Sequence, residues 1–191
     1  MGCLSAYNRG KLGDNIIIVF ATCGIAIPSF ISSVILLYTF GSKLNLLPTV
    51  GLNTMSSYIM PVTALAIYPT AYITRLMRSS LLDVMGQDYI RTAKAKGLGK
   101  FNKTFKHAFH NAVIPVLTVA GYMFAGAIGS TVLIEQIFSL PGIGGMLVTG
   151  IQQNNYPIVQ VLVLVMLVSY LIMSFVVDIL YAVVDPRVEM K

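Results

Sequence analysis

The sequence predicts an all-α fold: a polytopic membrane helix bundle of four spans with both termini cytoplasmic. Three observations predict it. Hydrophobic residues make up 56% of the 191 and charged residues only 10%, where a soluble domain carries about 25% Asp, Glu, Lys and Arg. Mean hydropathy is +0.79. Four apolar stretches, each long enough for a tilted membrane helix, punctuate the chain. At roughly 20 apolar residues per crossing, this length leaves no room for a separate soluble catalytic domain.

The four stretches run from about Ile16 to Phe40, Tyr58 to Leu76, Ala112 to Ile134 and Ile158 to Val184. They carry Pro28, Pro61, Pro69 and Pro115. A membrane helix tolerates proline where neighbouring helices or side chains satisfy the freed carbonyls, so these residues predict a packed bundle. Cys3 and Cys23 are the only cysteines. Two are too few for a disulfide framework or a metal site.

The net charge of +6 is distributed unevenly. Arg9 and Lys11 precede the first stretch, Arg75 stands at the end of the second, and Arg78, Arg91, Lys94, Lys96, Lys100, Lys103 and Lys106 lie between the second and third. Arg187 and Lys191 follow the fourth, and Lys43 alone stands on the other side. The positive-inside rule therefore predicts cytoplasmic termini and a cytoplasmic basic loop. The first apolar run is too long for a secretory signal, lacks a small-residue cleavage pattern and is followed by further spans. Met1-Gly2-Cys3 suggests acylation, but Ala6 stands where a myristoylation motif requires Ser or Thr.

Residues 77–111 form the cytoplasmic loop. Asp83 to Lys96 reads as a short helix, Gly97-Leu98-Gly99 as a break, and Asn102 as the N-cap of a second helix reaching His110. Phe101, Phe105 and Phe109 recur every four residues, while Lys103, His107 and His110 occupy another face. Such a basic amphipathic hairpin suits anionic lipid headgroups. It equally suits docking of a soluble partner. Gly97-Leu98-Gly99-Lys100 is not a phosphate loop, which needs four residues between its glycines and Lys-Ser/Thr after them.

The run Asp88-Tyr89-Ile90-Arg91-Thr92-Ala93-Lys94-Ala95-Lys96-Gly97, followed by His110-Asn111-Ala112-Val113-Ile114-Pro115, resembles the signature loop of permease subunits in binding-protein-dependent ABC importers. The resemblance is strongest to the dipeptide/oligopeptide/nickel branch. Further matches are Pro28 with Ser29 and Phe30, Arg75 with Arg78, Glu135 to Gly144, Tyr156-Pro157, Asp178 to Tyr181 and Asp185-Pro186-Arg187. The general signature opens Glu-Ala-Ala; here Arg91 and Thr92 stand in the first two places and Ala93 agrees. The interval from Gly97 to Pro115 is also longer than in the general form, as in the peptide branch.

The resemblance implies a type I ABC importer transmembrane domain over 1–191, located in the inner membrane of a prokaryote. It implies ATPase docking on the 83–111 loop through Asp88, Tyr89, Arg91, Thr92, Ala93, Lys96, Gly97, His110 and Asn111. It implies a second permease subunit, two cytoplasmic ATPase subunits and an extracytoplasmic solute-binding protein as partners, with membrane lipid around the chain and no role for nucleic acid. ATP and Mg belong to the partner ATPases, so no catalytic residue, metal or cofactor is expected in this chain. The expected function is oligopeptide or dipeptide import. The alternatives are a nickel or other small-solute permease of the same branch, and a truncated non-transporting remnant or scaffold. Family members usually carry two further N-terminal spans, so the chain is expected to represent the C-terminal four-span part.

Within the spans, Pro28, Ser29, Thr70, Glu135, Phe138, Pro141, Gly142 and Asp178 are candidates for the translocation pathway or gating. Gly121, Ala125 and Gly129 form a small-residue ridge suited to helix packing. Tyr170, Ser174, Asp178 and Tyr181 share one face of the fourth span. A membrane carboxylate normally points into the bundle or an aqueous cavity, so Asp178 is expected either to anchor structure, with Arg187 or a loop cation nearby, or to serve the pathway. Thr63, Thr70 and Thr74, with Tyr68 and Tyr72, either line a path for a neutral polar backbone or bond across helices. Phe138 to Gly145 reads either as an ordinary loop or, by the resemblance, as an external loop turning back toward the pathway. An intramembrane protease is disfavoured. Its serine form needs a membrane Ser with a His, yet His107 and His110 lie in the basic loop, and its aspartyl form needs two carboxylates, where the spans offer Asp178.

Overall fold

The computed structural model describes residues 1–49, 51, 54–88 and 103–184, with the side chains of 103–107 and 182–184 excepted. All regular structure among them is helical. In order these are α1 (Gly2–Tyr7), α2 (Leu12–Ala26), α3 (Ser29–Leu36) continued by a π-helical segment (Leu37–Lys43), a 3-10 turn (Met55–Tyr58), α4 (Ile59–Met85), α5 (Lys103–Ile137), α6 (Ile143–Gln152) and α7 (Tyr156–Val184). Antiparallel α4 and α5 form the centre. Helices α1, α2 and α3 lie against α4, α7 lies against α5, and α6 bridges α5 and α7.

The first apolar stretch, expected as one span, is two helices meeting at 102°. The cause is local. Pro28 lacks an N–H and disfavours helical geometry in the residue before it. Ile27 is accordingly extended, at φ −89° and ψ 115°. Pro28 then caps α3, and the Ser32 and Ser33 hydroxyls both donate to the Ser29 carbonyl at 2.8 Å. Two helices, Ala108–Ile137 and Tyr156–Tyr181, are each long and apolar enough to cross a membrane, and the bent pair makes a third if it is one span. Helix α4 has the length, 27 residues, but falls short in apolar character.

The basic loop also differs from expectation at its ends. Asp83 does not open a new helix: α4 runs on to Met85 and is capped by Gly86, whose N–H donates to the Leu82 and Asp83 carbonyls at 3.1 Å. Likewise Lys103 to His110 is the first part of the 35-residue α5, with no break before the apolar stretch. The intervening residues 89–102 lie outside the described residues.

Two apolar clusters pin the central pair at its ends. Ala6, Met77, Leu81, Ala108, Ala112 and Val116 pack where α1, the end of α4 and the start of α5 converge. At the opposite end Met60, Ala64, Ile134 and Phe138 pack together. Ala64, Ala108, Ala112 and Ala125 have no exposed surface. Small residues matter here because lipid is as apolar as leucine, so helices associate through close van der Waals packing rather than by escaping water. Most of α7 is exposed, as a helix facing lipid or another membrane subunit would be.

Candidate functional site

Between the two clusters, α3, α4 and α5 leave a cavity of about 450 Å³, lined by Pro28, Ser29, Leu65, Tyr68, Pro69, Met123, Gly126, Ala127 and Ser130. Helix geometry explains the gap. The turn at Pro28 swings α3 away from the axis of α2, and Pro69 deletes the backbone bond that the Leu65 carbonyl would accept. A Cβ added at Gly126 would meet nothing within 4 Å. Of the residues expected on a pathway, Pro28 and Ser29 are here. Thr70 is not. It lines a separate, mostly apolar groove between α2 and α4 with Thr63, Thr74, Ile16, Phe20 and Gly24. Thr63 bonds within its own helix, donating to the Ile59 carbonyl at 2.6 Å.

Glu135, Phe138, Pro141 and Gly142 come together at the end of α5, around the turn into α6. The Glu135 carboxylate accepts hydrogen bonds from the N–H groups of Gly144 at 2.8 Å and Gly145 at 3.3 Å. These are among the otherwise unpaired donors of the first turn of α6, where the helix dipole also favours an anion. The approach is close, and at Gly144, against backbone, it demands glycine. A Cβ on Gly142 would lie 2.2 Å from Glu135 Oε2, and one on Gly144 would lie 2.6 Å from the Val132 Cα. Phe138 is 2% exposed, in the cluster with Met60, Ala64 and Ile134. Pro141 and Gly142 border an open cavity of about 720 Å³ with Gln136, Thr149 and Gln153. The segment expected as a loop, Phe138 to Gly145, thus runs into a ten-residue apolar helix that begins at Ile143.

At the other end sits a polar cluster that the sequence reading missed. Asp14 is 1% exposed, yet both carboxylate oxygens are engaged. Arg78 donates from Nε to Oδ1 at 2.7 Å and from Nη2 to Oδ2 at 2.8 Å. Ser5 Oγ donates to Oδ1, and the Gly10 N–H donates to Oδ2 at 2.9 Å. Asp14 precedes the apolar run beginning at Ile16, and Arg78 follows the one ending at Leu76. The Arg78 guanidinium, then the Ser5 hydroxyl and the Gly10 amide, hold the Asp14 carboxyl well below the usual carboxylate range. One signal was available: Asp14 is the sole acidic residue before Asp83, and a lone acid bordering an apolar helix needs a partner.

The expected ATPase-docking residues fall mostly outside the described residues: Tyr89, Arg91, Thr92, Ala93, Lys96 and Gly97. Asp88 is helical and exposed, three residues beyond the end of α4. His110 and Asn111 are exposed on α5, adjoining the cluster of Ala6, Met77 and Leu81 through Ala108 and Ala112. The clasp on Arg78 therefore lies directly on the helix that leads into this loop.

Asp178, on α7, is exposed, and its hydrogen bond comes from α5: the Tyr122 hydroxyl donates to Oδ1 at 2.9 Å. Arg187, its expected cation, lies outside the described residues. Of the small-residue ridge, Gly121 and Ala125 pack and Gly129 does not. A Cβ on Gly121 would meet Val177 at 2.4 Å, Ala125 has no exposed surface, and Gly129 has open space.

This bundle matches a known family along its length. The model of the binding-protein-dependent transport system inner membrane component covers residues 1–190. A putative peptide transport system permease protein of Brucella abortus is 39% identical over 197 residues, covering 99% of this chain and 63% of the relative. The dipeptide transport system permease protein of Bacillus subtilis is 40% identical over 190 residues, 100% of this chain and 62% of the relative. The glutathione transport system permease protein of Escherichia coli K12 is 34% identical over the same shares. The chain thus spans somewhat under two thirds of the length of these relatives. Matched from residue 1 to 190, the chain belongs to the family of inner membrane components of binding-protein-dependent transport systems.

Proposed function

We propose that the chain forms part of a permease subunit of an ABC importer that moves dipeptides or oligopeptides across the cytoplasmic membrane. The observation that carries this reading is the match along essentially the whole chain to relatives named for peptide, dipeptide and glutathione transport. The cavity between α3, α4 and α5 supports it. Its volume lies within the roughly 300–1,000 Å³ range of small-molecule sites, and its lining mixes tyrosine, serine and backbone-exposing glycine with apolar side chains. Sealing clusters above and below suit a site that opens to one side at a time.

In this reading the 83–111 loop is cytoplasmic and docks the partner ATPases, which bind ATP and Mg and perform the hydrolysis. Small residues Ala93, Ala95 and Gly97 permit close backbone approach, and the surrounding Arg and Lys steer toward an acidic rim. Movement of the docked loop reaches the cavity through α4 and α5. A second permease subunit completes the pathway, and an extracytoplasmic binding protein delivers the peptide on the α6 side.

The test is reconstitution of the full-length permease with its partner permease, ATPases and binding protein in proteoliposomes. ATP-dependent uptake of a labelled dipeptide is expected, and Gly97→Asp should abolish it while leaving the membrane helices folded. Absence of uptake from a complex that hydrolyses ATP would sink the peptide assignment. Normal uptake by the Gly97→Asp complex would sink the docking assignment.

A further inference from the structure

The pair of Asp14 and Arg78 sits where three helices meet. Helix α4 ends at Met85, seven residues or about 10 Å of helix beyond Arg78, and the basic loop follows. Met77 and Leu81, on either side of Arg78 in sequence, pack with Ala108 and Ala112 at the start of α5. Arg78 instead reaches Asp14 in the first turn of α2. The end of α4 is therefore tied to α5 by apolar contact and to α2 by an ion pair.

That ion pair is the directional hold on α2. Of the fifteen residues of α2, Asp14 and Ala21 are buried, and a largely apolar groove of about 560 Å³, bordered by Ile16, Phe20 and Thr70, runs between α2 and α4. Farther along, a Cβ at Gly24 would fall 2.9 Å from the Ala71 Cβ, an apolar contact. Lipid is as apolar as these faces, so they supply little drive for the two helices to stay in one register. The Asp14 carboxylate, taking donors from Arg78, Ser5 and Gly10, does supply it, because the planar guanidinium fork fixes direction as well as distance. Stability alone does not call for charge at this place. A buried ion pair can often be exchanged for apolar residues of similar volume with no loss of stability.

At its other end α2 carries a wall of the central cavity. Pro28 stands fourteen residues after Asp14, about 21 Å along the chain if helical throughout, and Pro28 and Ser29 line the cavity together with Ala127 of α5. We propose that Asp14 and Arg78 are positioning residues for transport: they lock the start of α2 to the end of α4, so that displacement of the loop travels along α2 and moves the Pro28 and Ser29 wall of the cavity. This rests on the reading of the chain as part of an ATP-driven peptide importer. Without the lock, α4 follows the loop while α2 and the wall it carries lag behind.

The experiment uses the full-length permease, assembled with its partner permease and ATPases in proteoliposomes and supplied with saturating binding protein. It reads labelled dipeptide imported per ATP hydrolysed. The triple variant Ser5→Ala, Asp14→Leu, Arg78→Met replaces the clasp with apolar side chains and strands no buried charge. It is expected to melt close to wild type, to keep its subunits, to hydrolyse ATP within twofold of wild type, and to import at least tenfold less dipeptide per ATP. Arg78→Lys, which keeps the charge and loses the fork, should give an intermediate ratio. A tie that serves stability alone would lower uptake and hydrolysis together and leave their ratio at the wild-type value. That result, or unchanged uptake, would overturn the positioning role. If the triple variant does not assemble, Arg78→Lys decides: a lowered ratio supports the role and a wild-type ratio overturns it. A wild-type complex that hydrolyses ATP without importing dipeptide would overturn the peptide-importer reading itself, and the positioning role with it.

Discussion

Arg78 grips Asp14 through a two-pronged bridge, Nε and Nη2 each on a different carboxylate oxygen at 2.7 and 2.8 Å, across 64 residues of sequence. The fork geometry is particular to arginine, since lysine offers a point charge. The bridge joins the start of α2 to the part of α4 just before the loop. Arg78→Gln should lower the thermal unfolding midpoint of the detergent-solubilised protein by roughly 5–10 °C, because it strands a buried carboxylate. Arg78→Lys should fall between. Asp14→Asn combined with Arg78→Gln should cost less than the two single changes added together. Strict additivity in that cycle would mean that the pair does not interact.

The turn into α6 makes a sharper steric prediction. At Gly144 a new Cβ meets the Val132 backbone, whereas at Gly142 it meets the Glu135 carboxylate, a side chain that can rotate. Gly144→Ala should therefore destabilise by about 1–3 kcal/mol, the usual range for overpacking, and Gly142→Ala by less. Glu135→Gln keeps an acceptor for the Gly144 amide but loses the charge favoured by the helix dipole, for a cost of roughly 0.5–1 kcal/mol. Calorimetry or a dye-based melt on the three variants gives the order, and a Gly142→Ala loss exceeding that of Gly144→Ala would contradict it.

Composition was enough to show α5 and α7, because long uninterrupted apolar runs admit one structure in lipid. The bend at Pro28 was not legible. A proline within a membrane helix is compatible with a mild kink or a full break, and only the packing of α3 beside α4 decides between them. The helix ends bordering the basic loop were not legible, since charge marks where a chain leaves the membrane but not where a helix ends. Family motifs located Glu135, Gly142 and Gly144 without disclosing the cap they form, which depends on a contact nine residues away. Asp178 stood out by its charge. Its partner Tyr122, 56 residues earlier, lay beyond any local pattern.

Gly121 and Val177 offer a size-exchange test of the α5–α7 contact. With a Cβ at Gly121 placed 2.4 Å from Val177 Cγ1, Gly121→Ala should cost about 1–3 kcal/mol. Val177→Ala opens space on the other side at a cost of roughly 1 kcal/mol. The double variant should be more stable than Gly121→Ala alone. A double variant as unstable as the sum of the two single changes would place the strain elsewhere.

Filling the central cavity should separate transport from assembly. Ala127 lines it opposite Pro28 and Tyr68, and a tryptophan there occupies the space a substrate would need, at an overpacking cost of about 1–3 kcal/mol that the bundle can absorb. Ala127→Trp is expected to reduce ATP-dependent peptide uptake at least tenfold while the permease still co-purifies with its ATPase and partner subunit. Leu167→Trp, on the exposed face of α7, serves as the control for adding an indole to the membrane surface and should transport normally. Because the cavity and the groove holding Thr70 lie on different sides of α4, Thr70→Val should also transport normally. Loss of uptake in Thr70→Val together with normal uptake in Ala127→Trp would move the pathway from the cavity to that groove.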